Sequence, residues 1–234
     1  MMTAESQINW TALEAVGTLA AVLVALGFAL LREIRNWVLR PRLTILPIES
    51  GPPDCVKVPT VRRRDGEVIA ETDAYYLRMR VKNEGRRRAE QVEIFAARLL
   101  RKQANGTFGE VESFLPMNLR WAHRGGVLPG LSPGMYRYGA IAAVFDPDKR
   151  SEFPPQDKRW PGVSPDKTIL SLSTETGTTA KGYLQPFGTY QLELELAAAN
   201  ARPKPKKLKI TLTGAWYDDE RQMLSDGIGI RLLE

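Results

Sequence analysis

Histidine and cysteine are nearly absent from this sequence, which has one of each in 234 residues, His123 and Cys55. A zinc site built from these residue types needs three or four ligands, so one chain cannot supply it. A single cysteine cannot form a disulfide within the chain, and nothing therefore indicates an oxidising compartment. A serine–histidine–aspartate triad would have to use His123, and the sequence has no nucleophile-elbow motif.

Motifs for phosphate and calcium are missing as well. Neither of the two common glycine-rich phosphate loops is present. Acidic residues cluster in two places, at Asp146 and Asp148 and at Asp218, Asp219 and Glu220, but their spacing does not fit an EF-hand loop. We interpret them as solvated turns. Together these absences predict a protein that is not an enzyme and carries no cofactor or metal.

Lysine and arginine are absent before Arg32. Residues 12–31 carry one charge, Glu14, and as a helix they would span about 30 Å, the thickness of a bilayer's hydrocarbon core. A cleaved signal peptide is the alternative, but it has a basic segment before its apolar core and small residues after it. We therefore expect a transmembrane and juxtamembrane helix at residues 12–40, ending before Pro41.

Four residues are expected to anchor this helix in the bilayer: Trp10, Thr11, Glu14 and Trp37. Thr11 and Glu14 fit a capping box, and the two tryptophans would lie roughly 40 Å apart, at the two headgroup layers. Basic residues follow the apolar stretch: Arg32, Arg35, Arg40 and Arg42. By the positive-inside rule, residues 1–11 form a short extracytoplasmic N-terminus and the rest lies in the cytoplasm, at the inner membrane.

Small residues recur at every fourth position of the apolar stretch: Gly17, Ala21, Ala25 and Ala29. On a helix they fall on one face, where small side chains let two backbones approach closely in lipid. This predicts a homodimer through the transmembrane helix. The alternative is that the stripe has no partner, since alanine is common in membrane helices.

Residues 43–234 are typical of an antiparallel β protein. We expect strands near 43–49, 56–61, 74–83, 89–100, 115–121, 135–145, 168–174, 189–197, 206–216 and 228–233. Tyr75, Leu77, Met79 and Val81 alternate with polar residues, which predicts one buried face. A bulge is expected near Ala96, a loop at 200–205 and a helical turn at 218–225. Many glycine and proline turns without an amphipathic helix predict a β-sandwich, with a long loop at 146–167 that packs through Trp160.

Two stretches resemble known sandwich domains. Gly188-Thr189-Tyr190-Gln191-Leu192 is similar to the tyrosine corner of immunoglobulin-like and fibronectin-type domains, in which a core residue follows two positions after the tyrosine. The stretch from Leu77 to Gly85, with Asn83-Glu84-Gly85 as its turn, and then Ala89 to Ile94, resembles bacterial CARDB-type immunoglobulin-like domains. The resemblance implies an immunoglobulin-like sandwich and no particular activity. With the helix expected at residues 12–40, the predicted fold class is mainly β, an antiparallel immunoglobulin-like sandwich after one N-terminal transmembrane helix.

Arginines form clusters in the sandwich region: Arg62, Arg63, Arg64, Arg78, Arg80, Arg86, Arg87 and Arg88. The functional interpretation is contact with anionic lipid headgroups or with an acidic partner. The alternative is a solvated surface with salt bridges to neighbouring glutamates. Nucleic-acid binding is disfavoured because no aromatic residues are interleaved with the arginines.

The sequence therefore predicts a non-enzymatic, single-pass membrane protein whose cytoplasmic immunoglobulin-like sandwich binds a protein partner. One alternative is a membrane-tethered receptor for a small anionic ligand of nucleotide type. Another, if the topology is inverted, is an extracytoplasmic adhesion-type module.

Overall fold

The computed structural model describes residues 10–122, 125–149, 163–176 and 181–233. The chain divides into two compact units, Met1–Arg40 and Pro41–Glu234. In the first unit, helix α1 covers Trp10–Leu39, and its described side chains are exposed as far as Val38. This confirms one long apolar N-terminal helix. Thr11 is the second residue of α1, so it does not precede the helix as the predicted capping box requires.

The second unit is built from antiparallel strands. Their bounds are β1 Leu43–Ile45, β2 Cys55–Arg64, β3 Glu67–Asn83, β4 Ala89–Lys102, β5 Phe108–Glu110, β6 Met117–Asn118, β7 Val127–Leu131, β8 Tyr136–Phe145, β9 Leu170–Leu172, β10 Leu184–Gln185, β11 Gly188–Ala198, β12 Ala201–Leu212 and β13 Ile228–Leu233. A short helix, α2 Glu220–Gln222, continues into a π turn at Met223–Gly227. The helical turn predicted near residue 220 is therefore confirmed.

The strands form two antiparallel sheets. The first has the order β1-β3-β8-β9-β10, and β2 also pairs with β3. Residues Ala74–Leu77 of β3 pair with both β2 and β8, so β2 and β8 lie on opposite sides of β3. The second sheet has the order β13-β12-β11-β4-β5, and β6 and β7 pair with β4. The predicted fold class, mainly β with two antiparallel sheets after an apolar helix, is confirmed.

One hydrophobic core joins the two sheets. The predicted inward residues of β3 (Tyr75, Leu77, Met79 and Val81) are all 0% exposed. They belong to one buried cluster with Tyr190, Leu192, Leu194 and Leu196 of β11, which the sequence also predicts to point inward. Full burial of one such aliphatic side chain contributes about 1.5–3 kcal/mol, so the alternating patterns of these two strands supply much of the driving force for folding.

Two local features of the second sheet agree with the sequence. In the pairing of β4 with β11, Glu193 is opposite Arg98 and Leu194 is opposite Ala96, so Ala97 is the extra residue of a bulge. Glu193 and Lys207 are directly opposite in β11 and β12, and their side chains form an ion pair of 2.9 Å. The predicted bulge is confirmed, and the ion pair ties β11 to β12.

The hydroxyl of Tyr190 is hydrogen-bonded to the chain just before β11. The Tyr190 hydroxyl donates a hydrogen bond to the carbonyl oxygen of Pro186 at 2.7 Å, four residues upstream. Burial raises the pKa of this hydroxyl to about 12, so it stays protonated and remains a donor. The bond holds the chain where it enters β11.

Strand β2 extends beyond the expected 56–61 to Arg64, and β3 begins at Glu67. Only Asp65-Gly66 lies between them, and both residues have positive φ (51° and 89°). Residues 201–205 of the loop expected at 200–205 belong to β12 instead, and only Asn200 is in a turn. Prolines are tolerated there because, among the described residues, β13 pairs with β12 only as far as Lys207.

The predicted strand at 115–121 is confirmed in part, and most of the predicted loop at 146–167 lies outside the described residues. The strand expected at 115–121 is reduced to Met117–Asn118, with single bridges from Leu119 to Thr174 and from Trp121 to Gly139 of β8. The loop at 146–167 is described only at its ends, and the predicted packing of Trp160 falls outside the described residues, as does His123.

Candidate interaction surfaces

Asn83 organises the place where the chain enters the sandwich. Its side chain is 0% exposed, and its Oδ1 accepts hydrogen bonds from the backbone N–H of Arg42 (3.1 Å) and of Gly85 (2.9 Å). Its Nδ2 donates to the carbonyl oxygens of Arg87 (2.7 Å) and Leu131 (2.9 Å). The amide therefore uses both lone pairs and both hydrogens. One side chain fixes the chain entrance, the arginine turn and the end of β7 together.

A second asparagine extends this arrangement to the other sheet. Asn200, in the turn between β11 and β12, donates from Nδ2 to the carbonyl oxygen of Arg88 (2.9 Å) and accepts from the backbone N–H of Glu90 (3.1 Å). The beginning of β12, which carries Arg202, is thereby held beside the arginine turn.

Exposed basic side chains collect at this end of the sandwich. Arg137 joins them because it lies opposite Val81 in the pairing of β8 with β3. We call the following set the basic face: Arg42, Arg86, Arg87, Arg88, Arg137, Arg202 and Lys204. Two side chains with exposed apolar groups lie next to the basic face: Met135 is 51% exposed and Tyr136 is 45% exposed. The carbonyl oxygen of Met135 accepts a hydrogen bond from the backbone N–H of Asn83 at 3.1 Å, which places this turn beside Asn83.

Arg78 and Arg80, on the outward face of β3, are held by contacts within the sandwich. Arg80 donates to Asp54 and to Glu49, both at 2.9 Å, and Asp54 is 0% exposed. The hydrogen bonds to Asp54 and Glu49 raise the pKa of the Arg80 guanidinium above its ordinary value. Arg78 donates to the carbonyl oxygen of Pro53 at 2.6 Å and lies over the ring of Tyr138, 4.8 Å from its centroid. Both side chains attach the β1–β2 connection to the sheet.

A hairpin extends from the opposite end of the first sheet. Strand β8 pairs with β3 only from Ala74 onward, whereas β2 pairs with β3 back to Glu67. At about 3.4 Å per residue, the seven residues of β3 before Ala74 extend roughly 24 Å beyond that pairing. We call residues 58–73 the arm. Its aliphatic side chains are exposed: Val58 38%, Val61 43%, Val68 50% and Ile69 47%.

The structure separates the arginine triplets. Arg63 and Arg64 lie at the tip of the arm, where Arg64 pairs with Glu67 in the register and Arg63 donates to the carbonyl oxygen of Gly66 at 3.1 Å. The side chain of Arg62 is outside the described part. The triplet at Arg86 follows the other end of β3, so the length of this strand, about 50 Å, lies between the two groups.

A groove of about 1300 Å³ lies along the outer surface of the first sheet. Its walls include Val56, Tyr76 and Phe145, with hydroxyls from Ser171 and Ser173. Arg120 also lines the groove, but its guanidinium donates to the carbonyl oxygen of Glu175 at 2.9 Å. The two arginines of the groove, Arg78 and Arg120, therefore already have partners from the protein itself.

The chemically reactive residues offer little to a catalytic site. Cys55 is 1% exposed, and burial, with the nearby carboxylate of Glu220, raises the pKa of its thiol to about 12. Asp219 accepts from the backbone N–H of Gln222 at 2.8 Å and caps α2, while Asp218 accepts from the indole N–H of Trp216 at 3.0 Å. Among the described residues, no three His, Cys, Asp or Glu side chains come together as a metal site.

Helix α1 meets the length and composition required to cross a membrane over Gly17–Leu39, criteria that a signal sequence also meets. The small residues Gly17, Ala21, Ala25 and Ala29 are exposed, and a Cβ added at Gly17 would meet no atom within 4 Å. Trp37 is 64% exposed, and the guanidinium of Arg40 lies 5.3 Å from its ring centroid. Glu14 is exposed, and its carbonyl oxygen accepts from the Thr18 hydroxyl at 2.9 Å. The side chains of Trp10 and Thr11 are outside the described part.

No protein-family model matches this chain, and no curated protein matches it significantly. The surfaces must therefore be judged on geometry. Sequence reasoning missed the arm, although Asp65-Gly66 is a dipeptide typical of two-residue hairpin turns. It also missed Arg137 and Arg202, for which the sequence holds no signal, since only the pairing of β8 with β3 and the bonds of Asn200 place them at this end of the sandwich.

Proposed function

We propose that this chain is a non-enzymatic, single-pass membrane protein whose immunoglobulin-like sandwich binds a protein partner at the cytoplasmic surface of the inner membrane. The observation that carries the proposal is the arm, a hairpin with exposed aliphatic side chains that extends from a sandwich with a separate, complete core.

The strand neighbours support an immunoglobulin-like assignment. In such domains the neighbours are A-B-E in one sheet and G-F-C in the other. Here β1-β3-β8 and β12-β11-β4 have the same chain order and adjacency, and the Tyr190–Pro186 hydrogen bond occupies the position of the tyrosine corner. The chain departs from this pattern in two places. The neighbour of β8 is β9, which follows β8 in the chain, whereas strand D precedes strand E in immunoglobulin domains, and β13 is an added strand. The strand β2 has no counterpart, which makes the arm an insertion between the first two strands.

Charge supports the membrane anchoring and its direction. Only Arg40 separates Leu39, the last residue of α1, from Pro41, the first of the sandwich unit. Arg42, the first residue of the basic face, therefore follows the apolar helix closely along the chain and adds to the excess of Arg32, Arg35 and Arg40 on that side. Under the positive-inside rule such an excess favours a cytoplasmic sandwich and residues 1–11 outside.

The arm suits an extended protein segment. Residues 67–73 of β3 pair with β2 on one side and, within the described part, with no strand on the other. An unpaired strand edge is a template for an added strand, and its side chains then contact the ligand. The edge of β2 is less suitable because Pro59 removes a backbone donor there. We infer that the partner adds along the β3 edge and packs on Val68 and Ile69.

The alternative function as a receptor for a small anionic ligand receives less support. Arg78, Arg80 and Arg120 are bonded to groups of this protein, so a small anionic ligand would have to displace those contacts. A non-enzymatic role is favoured by the burial of Cys55, whose protonated thiol is a poor nucleophile.

Site-specific photocrosslinking of the full chain in its native membrane tests the proposed role of the arm. A photoreactive residue at Ile69 should give a discrete crosslinked product with a protein. The same residue at Leu115, which is 48% exposed elsewhere on the sandwich, should not. The product at position 69 should disappear when Val68→Asp is added. Equal products at both positions, or none at position 69, would contradict the proposal.

We also propose that α1 pairs with a second copy through Gly17, Ala21, Ala25 and Ala29. Close approach of small residues is a main source of helix association in lipid. Ala21→Ile with Ala25→Ile should reduce chemical crosslinking between copies in membranes. Leu23→Ile with Leu26→Ile, on other faces of α1, is the control and should leave it unchanged. Undiminished crosslinking in the alanine double variant rules out this stripe as the interface.

A further inference from the structure

We propose that the basic face docks the sandwich on the headgroup layer of a membrane that contains anionic lipids. This inference rests on the proposed membrane anchoring and adds to it the surface that meets the bilayer. It concerns a different end of the domain from the arm.

Basic residues outnumber acidic ones at this end of the sandwich. Asn83 and Asn200 hold three separate chain segments together, so that Arg42, Arg86 and Arg202 come from different parts of the sequence to one surface. The nearest carboxylates along these strands are those of Glu84, Glu90, Glu93 and Glu195. Glu84 is already 3.9 Å from the ammonium of Lys82, and Glu93 is half-buried. The net charge of the surface is therefore positive.

Exposed apolar side chains make lipid the better partner for this surface than an acidic protein. Met135 and Tyr136 lie in the turn and first position of β8, beside Arg137. Tyrosine prefers the headgroup level of a bilayer, where its ring meets apolar chains and its hydroxyl meets water. Basic residues combined with exposed apolar ones are the composition of surfaces that bind at a membrane interface.

The tip of the arm serves as an internal comparison. It also carries arginines, but residues 58–73 as a whole have three arginines against the four carboxylates of Asp65, Glu67, Glu71 and Asp73 and so no excess of positive charge. The basic face has seven basic residues against the four glutamates named above, and the length of β3 separates it from the tip of the arm. An electrostatic attraction to lipid should therefore act on one end of the sandwich only.

The test uses the full chain in nanodiscs of phosphatidylcholine, with or without phosphatidylglycerol. A fluorophore is attached at Ser132→Cys, near the basic face, or at Ala104→Cys, in the β4–β5 turn at the other end. Cys55 does not compete for the label because it is buried and protonated. A quencher on the lipid headgroup then reports how close each end comes to the bilayer.

We expect phosphatidylglycerol to increase quenching at position 132 and not at 104, and added salt to reverse the increase. Near an anionic surface each basic residue strengthens binding about fivefold. Arg42→Gln with Arg86→Gln and Arg202→Gln should thus weaken docking about 100-fold. The control, Arg64→Gln with Lys102→Gln and Arg221→Gln, removes the same charge elsewhere and should have little effect.

Each outcome separates this inference from the proposed function. A chain that fails to co-elute with nanodiscs contradicts the membrane anchoring itself. An inserted chain whose quenching is the same in both lipid mixtures, or equally sensitive to the two triple variants, contradicts the docking alone. Shielding of position 132 by an acidic protein, without any response to phosphatidylglycerol, would overturn lipid as the partner.

Discussion

The two halves of β3 differ in almost every respect although they form one continuous strand. From Ala74 to Asn83 the strand pairs with β8 on one side and with β2 and β1 along most of the other, and alternate residues are fully buried. From Glu67 to Asp73 it pairs, within the described part of the chain, only with β2, and most of its residues are exposed. The first half supports the core, whereas the second contributes little to it. A segment that adds little stability yet keeps exposed aliphatic residues is better explained by binding than by folding.

The largest expected effect compares one residue from each half. Met79→Ala removes a side chain that is 0% exposed and should lower the free energy of unfolding by about 2–5 kcal/mol. Ile69→Ala, in the arm, should change it by less than about 0.5 kcal/mol. Urea unfolding of the full chain in detergent micelles, followed by tryptophan fluorescence, measures both. Similar losses in the two variants would mean that the arm belongs to the core.

The second expected effect tests the end of the buried half. Asn83→Ala leaves the backbone partners of four hydrogen bonds without this amide, which should cost about 2–4 kcal/mol. Asn105→Ala is the matched control, because Asn105 is exposed and bonds only to Thr107, two residues away. The same unfolding experiment applies. A loss no larger than that of the control would contradict the role of Asn83 in fixing the basic face.

The smallest expected effect concerns one hydroxyl group. Tyr190→Phe keeps the buried ring and removes the hydrogen bond to Pro186, so unfolding should become easier by about 1–1.5 kcal/mol. Tyr183→Phe is the control, since the described part of the structure contains no partner for that hydroxyl. If both variants are equally stable, the Tyr190 bond does not hold the start of β11.

Strong alternation made the core predictable from sequence. The strands at Tyr75–Val81 and Tyr190–Leu196 bury every second residue. In β4 the alternation of buried and exposed residues shifts by one position at the bulge residue Ala97, which made the bulge predictable as well. Asn83 was recognised as part of a turn, but its four hydrogen bonds were not, because two of their partners are distant in sequence.

The surfaces were harder to predict for physical reasons. In the arm the apolar residues Val68 and Ile69 are adjacent and both exposed, so Glu67–Asp73 has no alternation of apolar and polar residues to mark it as a strand. The prolines at 203 and 205 indicated a loop because the sequence does not show that β13 stops short of them. Arg78 and Arg80 have the sequence pattern of a solvated basic face, and only the fold shows their partners Pro53 and Asp54.

The location of the sandwich relative to the membrane is the central claim, and cysteine labelling tests it most directly. The single native cysteine, Cys55, is buried with its pKa raised to about 12, so an introduced Ala104→Cys is the reactive thiol of the folded chain. We expect an impermeant maleimide to label position 104 only after the cells are permeabilised. Labelling in intact cells would contradict the cytoplasmic assignment and the partner class proposed with it.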